Sequence, residues 1–224
     1  MAFNFSPKIV TNGLVMYLDA ANERSYNGFG TTWYDLSPSK NHVTLVNGVQ
    51  FNDVNNYFTF NGTSNYVSTT YNAQLTDFTI GLWFRPGDST NNISTRLIDK
   101  EYRTGFWLGK NAATGEANSW GGGVREGSPP FGIYLTLPDT QWNFLVSVRS
   151  GTTHTLYGNG ITNTTSNTVL ATALDTTIMT IGTVTGFNPV QCFKGNMAVV
   201  QVYDRALSST EVLQNYNALK SRFN

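Results

Sequence analysis

One cysteine in the chain, Cys192, excludes an internal disulfide. Beside Phe193 at an expected strand start, it reads as a small packed side chain rather than a reactive thiol. Charge is scarce as well: 14 Lys and Arg balance 14 Asp and Glu, for a formal net charge of zero. Without a basic field there is nothing to neutralise phosphates, which argues against nucleic acid as a partner. The polybasic patch that draws proteins to anionic membranes is missing too. No run approaches the roughly 18 apolar residues of a membrane-spanning helix, so a soluble chain without membrane insertion is expected. The opening MAFNFSPKIVTNG has neither the basic head nor the apolar run of a signal peptide. A chain working outside a cell would then leave by another route, such as lysis. Only two histidines, His42 and His154, are present, which removes His-rich metal sites and argues against zinc. No P-loop or dinucleotide fingerprint occurs; GGGVREG has the glycines but not the strand-then-helix context that aims N–H groups at phosphate.

What the sequence does have is alternation. Its 40% hydrophobic content can fill one sizeable core over 224 residues, and no linker divides it, so one domain over 1–224 with an N-terminal arm at about 1–12 is expected. In FTIGLWFR, Phe78, Ile80, Leu82 and Phe84 share one face; Thr79, Gly81, Trp83 and Arg85 share the other. In WNFLVSVR, Trp142, Phe144, Val146 and Val148 oppose Asn143, Ser147 and Arg149. A tight Ser150-Gly151-Thr152 link to THTLYGNG marks a hairpin. NYFTFNG, NYVSTT, IYLTL and TIMTIG are further short strands. The fold class is therefore all-β, a two-sheet antiparallel sandwich. MAVVQVY is apolar throughout, with Ala198, Val200 and Val202 on one side and Met197, Val199 and Tyr203 on the other, as in a strand covered on both faces. Two segments break the pattern: ANERSYNGFGTTWYDLSPSKNH, and residues 109–132, a long loop made pliable by Gly121, Gly122 and Gly123.

One short C-terminal helix ends the chain. In LSSTEV, Ser208 and Glu211 have the capping-box spacing, and Leu207 and Val212 that of a hydrophobic staple. Val212, Leu213, Tyr216 and Leu219 form an expected apolar stripe, and Lys220 and Arg222 suit the negative end of the helix dipole. The helix is expected to dock on the sandwich as a structural cover.

FKGNMAVVQVYDRALSSTEV resembles the C-terminal signature of laminin G-like domains in the concanavalin A-like lectin/glucanase superfamily. FTFNGTSNYVST, FTIGLWFRP, RLIDK and WNFLVSVRSGTTHTLYGNG resemble its other segments in order, over roughly residues 55–220. The resemblance implies a concanavalin A-like jelly roll. The leader IVTNGLVMYLDAANERSYNGFGTTWYDLS is similar to one that precedes such domains in virion proteins of tailed bacteriophages. That similarity implies a virion-exterior location as capsid decoration or as a fibre or adhesin module, with other virion proteins, host-surface polysaccharide and a homo-oligomer as the partners to consider.

Lectins and glucanases share this architecture, so activity must be read from residues. Retaining glycosidases need two carboxylates about 5 Å apart. The Glu-x-Asp-x-Glu string of laminarinase-type members is absent; the nearest feature is Asp99 and Glu101, which share a strand face only if that strand extends so far. A non-catalytic protein is therefore expected, with a polysaccharide-degrading glycoside hydrolase of the same fold, or a cell-surface lectin, as the alternatives. The resemblance also admits calcium at a rim, with Asp88, Asp99 and Glu101 as the nearest oxygen donors; no other cofactor is implied. For sugar binding, the aromatic and polar residues of the irregular middle are the candidates: Trp120, Tyr102, Arg103 and Arg125. The plain alternative is that Trp120 plugs the sandwich edge and the arginines are solvated. The N-terminal arm, with Phe3, Phe5, Ile9 and Val10, either clips a neighbouring chain or adds an edge strand to its own sheet.

Overall fold

The alternating stretches pair antiparallel into two stacked sheets in the computed structural model, which describes residues 7–87, 94–101, 105–110, 119–124, 132–166, 176–186 and 188–223. In chain order the strands are β1 (Leu14–Asp19), β2 (Thr32–Trp33), β3 (Val43–Val46), β4 (Gln50–Asn52), β5 (Tyr57–Asn61), β6 (Tyr66–Ser68), β7 (Phe78–Pro86) and β8 (Thr95–Lys100). They continue as β9 (Phe106–Lys110), β10 (Ser119–Val124), β11 (Ile133–Thr136), β12 (Asn143–Ser150), β13 (Thr153–Gly158), β14 (Thr162–Ser166), β15 (Thr180–Ile181) and β16 (Lys194–Tyr203), followed by helix α1 (Ser209–Leu219). One sheet has the order β14-β13-β12-β7-β16-β5-β4, and β1 pairs with the second half of β16. The other has the order β11-β10-β9-β8-β15-β6-β3-β2. The fold is thus an all-β antiparallel sandwich with one short C-terminal helix, as expected.

The first sheet is the middle layer of three. From its inner face Phe78, Ile80, Leu82, Phe84 and Leu145 enter the core between the sheets. From its outer face Trp83, Phe144, Val146 and Val148 enter a second core under α1. These are the faces the alternation assigns. β16 departs from it. Met197 joins Val200 and Val202 between the sheets, while Ala198 and Val199 both lie with Tyr203 in the outer core. The cause is a bulge between Met197 and Val199 opposite β7, because one extra residue reverses the facing of everything before it.

A second correction concerns 109–132. Gly109 and Lys110 end β9, and Ser119–Val124 is a buried strand between β9 and β11 rather than a pliable loop. The three glycines serve close packing: a Cβ on Gly123 would lie 2.3 Å from Trp107 Nε1, and one on Gly121 would lie 2.3 Å from Tyr134 Cδ1. Rings from both neighbouring strands thus lie over a ribbon that has no side chains of its own. The early irregular segment is organised too. Asp35 Oδ1 accepts from the Tyr17 and Ser37 N–H groups (2.7 and 2.8 Å), and its Oδ2 accepts from the Asn41 N–H (2.7 Å).

Helix α1 starts as expected. Ser208 Oγ accepts from the Glu211 N–H, and Glu211 Oε2 accepts from the Ser208 N–H at 2.9 Å. The staple residues Leu207 and Val212 are both buried. The stripe differs by one position: Leu213 is exposed, and Asn215 is buried with Val212 and Leu219. Positions 212, 215, 216 and 219 follow the helical period, and Leu213 falls outside it. Asn215 is tolerated because its amide is hydrogen-bonded through both its oxygen and its nitrogen. Its Oδ1 accepts from the Val10 N–H (2.8 Å) and its Nδ2 donates to the Tyr203 hydroxyl (2.9 Å), which donates to the Val10 carbonyl (2.9 Å). Gln214 Nε2 also donates to the Lys8 carbonyl (2.7 Å). Residues 7–12 therefore pack on the chain's own helix and add no edge strand; residues 1–6 lie outside the described residues. Arg222 closes the layer through a two-pronged contact with Asp19 (2.8 and 2.9 Å).

Two outcomes follow. Asn215→Ala leaves a buried N–H and a buried hydroxyl short of partners and should cost about 1–3 kcal/mol in urea unfolding. The Arg205 guanidinium, helped by Ser208, holds the Glu211 carboxyl down at about 2. Its contribution is therefore present above the ordinary carboxylate range and is lost as the pH falls through about 2. Because the pair is partly exposed, Glu211→Gln should cost under about 1 kcal/mol at neutral pH and flatten the acid limb of a stability–pH curve.

Candidate functional site

The outer face of the middle sheet is apolar beneath α1 but becomes polar at one end. Alternation on β7 puts Arg85 on the same face as Trp83, at the strand's end. Asn196 of β16 lies directly opposite Arg85. The β7–β12 ladder ends at Phe84 and Asn143, so Trp142 falls beside Arg85 one step further on. Asn159 follows β13 with a left-handed φ of 52°. Its Oδ1 accepts from the Phe144 N–H (2.9 Å) and its N–H donates to the Phe144 carbonyl (2.8 Å), which fixes it at the sheet end. Tyr216 of α1 and Phe223 beyond it supply the remaining wall.

Trp83, Arg85, Trp142, Asn159, Tyr216 and Phe223 together line a cavity of about 380 Å³. Its floor is Trp83, whose ring stacks with Phe223 (centroids 4.3 Å apart), Phe144 (5.2 Å) and Tyr216 (5.5 Å). Trp142 is half-buried against Phe223 (4.9 Å) and Tyr57 (5.5 Å). The Arg85 guanidinium lies 5.4 Å from the Tyr57 ring centre and 5.5 Å from that of Trp142. Its Nη2 donates to the Tyr57 hydroxyl (3.4 Å). With the Asn196 amide oxygen turned toward the guanidinium, that oxygen accepts from Nε (3.1 Å) and Nη2 (3.0 Å) while the amide nitrogen donates to Thr59 (2.9 Å). Thr140, Gln141 and Asn159 add a hydroxyl and two amides. Among the described residues no carboxylate lines the cavity. Aromatic rings beside amide and hydroxyl groups suit a ligand that carries C–H faces and hydroxyls together.

The residues singled out from sequence lie elsewhere. Trp120 is a correction: it is 3% exposed, in the core between the sheets, edge-on to Phe84 (4.7 Å). Its ring is consumed by packing and presents no face to a sugar. Tyr102, Arg103, Arg125 and Asp88 lie outside the described residues. Asp99 is buried; its Oδ1 accepts from the Glu101 and Thr185 N–H groups (both 3.0 Å), and its Oδ2 is 3.5 Å from Arg96 Nε. Burial pushes its carboxyl up, against the opposing pull of the Thr185 and Arg96 contacts. β8 stops at Lys100, and Glu101 has a φ of 54°, so the strand does not extend to give Asp99 and Glu101 a shared face. Among the described residues no group of three or more His, Cys, Asp or Glu could hold a metal ion. His154 is wholly buried, its Nε2 2.9 Å from Ser147 Oγ, and burial aided by Arg149 pushes it down to about 3. Both side chains are closed to solvent, so the pair is internal packing. Cys192 is buried against Thr183, and burial raises its thiol.

Arg85, Trp142 and Asn159 were not among the candidates read from sequence. Alternation gives the facing of Arg85 and Trp142, but the pairing of β7 with β12, which brings them together, has no local signal.

Residues 61–213 match a laminin G family described as the concanavalin A-like lectin/glucanases superfamily. No curated protein matches the chain. Similar solved structures include the binding domain of Paraclostridial Mosquitocidal Protein 1, at 17% identity and a TM-score of 0.70, covering 92% of this chain and 52% of that one. The botulinum neurotoxin serotype D/C binding domain is 16% identical with a TM-score of 0.71, over 92% of this chain and 52% of that one. The botulinum neurotoxin DC binding domain in complex with rat synaptotagmin II is 15% identical with a TM-score of 0.69, with the same coverages of 92% and 52%. The chain thus spans about half the length of these structures, and at such identities the likeness is one of fold.

The Asp99 geometry gives a direct check. Asp99→Asn keeps an oxygen for the two N–H groups but takes the charge away from the buried Arg96 guanidinium and should cost about 3–5 kcal/mol in urea unfolding, and Asp99→Ala, which also strands the two N–H groups, should cost at least as much.

Proposed function

Because the chain belongs to the concanavalin A-like lectin/glucanases superfamily, we propose that it is a non-catalytic module that binds carbohydrate at a host surface. The observation that carries this reading is the cavity on the outer sheet face, where Trp142, Gln141 and Asn159 offer a ring and amides at one rigid sheet end. A pyranose has both C–H faces for stacking and hydroxyls for hydrogen bonds. A binding role rather than hydrolysis is supported by Asp99, whose carboxylate is committed to two backbone N–H groups and to Arg96. The fold likeness to toxin binding domains is in keeping with it.

The same proposal places the protein on the exterior of a tailed-phage particle, as capsid decoration or as a fibre or adhesin module held by other virion proteins. Its support is the similarity of the leader over residues 9–37 to that of such virion proteins. Immunogold labelling of purified particles should show the chain on the particle surface; label confined to soluble lysate would reverse that assignment.

For binding, a panel of glycans and host-envelope polysaccharides should retain the wild-type chain. Trp142→Ala should weaken retention roughly tenfold through loss of a stacking face, with an unchanged circular dichroism spectrum. Incubation with laminarin and host polysaccharide should release no reducing ends; sustained release would replace this reading with a glycoside hydrolase.

A further inference from the structure

We propose that the cavity selects a saccharide bearing a carboxylate, a uronic- or sialic-acid type of sugar, and that Arg85 determines that selectivity. The inference rests on the carbohydrate-binding reading of this same cavity and concerns what the guanidinium is for.

Arg85 is half-buried at the cavity wall. Every contact it makes there among the described residues is neutral: the Asn196 amide oxygen, the Tyr57 hydroxyl and the two rings of Tyr57 and Trp142. Among the described residues, the ion pairs in which other arginines take part, Arg96 with Asp99, Arg205 with Glu211 and Arg222 with Asp19, have no counterpart here. Nε and Nη2 are engaged, and Nη1 has no acceptor among the described residues. A guanidinium never gives up its charge. Partial burial without a counter-ion leaves it short of the solvation it would have in water, and a ligand carboxylate restores that while forming charge-assisted hydrogen bonds. The rings and Asn196 hold the group in place beforehand, so little ordering remains to be done when a ligand arrives. A neutral sugar needs none of this; Gln141, Asn159 and Thr140 already provide for hydroxyls. The guanidinium is the component that a neutral ligand leaves unused.

The test uses pairs of ligands that differ only in the acid: oligogalacturonates against their methyl esters, and sialylated oligosaccharides against their unsialylated cores. Titration calorimetry should show the wild-type chain binding one or more acids at least about tenfold more tightly than the neutral counterpart, with the preference shrinking as salt rises. Arg85→Met should abolish the preference but keep weak binding to the neutral form. Arg85→Lys should keep part of it, since an ammonium supplies charge without the fork, and it guards against misfolding of the methionine variant. Equal wild-type binding of acid and ester, or a preference that survives in Arg85→Met, would overturn the role of Arg85 and leave the binding module standing. Failure of the wild-type chain to bind any member of either pair, together with failure on the wider glycan panel, would overturn both.

Discussion

The structure depends on covering both faces of its middle sheet. β7 and β16 are apolar on each side, with Leu82 and Trp83, or Val199 and Val200, facing opposite ways and all at most 2% exposed. Burying one large apolar side chain contributes roughly 1.5–3 kcal/mol, so a bare outer face would forfeit several such contributions. Helix α1, the residues before β1 and Phe223 supply the cover. That cover brings backbone groups into an apolar layer, where they need partners. Asn215 and Tyr203 provide them for Val10. The polar residue inside the helix stripe is thus what allows the N-terminal segment to belong to the core.

The candidate site arises where this cover ends. Past Tyr216 and Phe223 the sheet continues, but the residues on it change from Val and Phe to Arg85, Asn196 and Asn159. Each is anchored by the sheet or by a ring, so the cavity inherits the rigidity of the ladder rather than that of a loop. The opposite sheet shows a different use of the same residue types. There Arg96 lies over Trp107 (4.5 Å) and pairs with Asp99, and the charge is spent within the protein. Arginine against tryptophan occurs on both outer faces; Arg96 has a carboxylate beside it, and among the described residues Arg85 has none.

Much of the architecture was legible because the signals were local. The facing of β7 and β12 came from alternation, and the start of α1 from Ser208 and Glu211 three residues apart. Three features escaped for physical reasons. A bulge at Met197 depends on how β16 meets β7 and leaves no mark on either strand. A run of glycines has no side chains with which to show alternation, so β10 resembled a loop, and Trp120 in it resembled an accessible ring. The cavity itself joins Arg85 to Trp142 and Phe223 across long stretches of chain, and no short-range pattern encodes such a meeting. At Leu213 and Asn215 helical period outranks hydrophobicity, because a buried amide with hydrogen-bond partners at both its oxygen and its nitrogen is stable.

The glycine ribbon of β10 also bears on how this molecule can change over generations. Its outer surface is borrowed, because Trp107 and Tyr134 of the flanking strands lie where side chains of Gly123 and Gly121 would stand. Replacing either glycine displaces a ring from another strand, and shrinking either ring uncovers backbone on β10. Three strands are therefore bound to drift as a single hereditary unit, with substitutions arriving in sets or not at all.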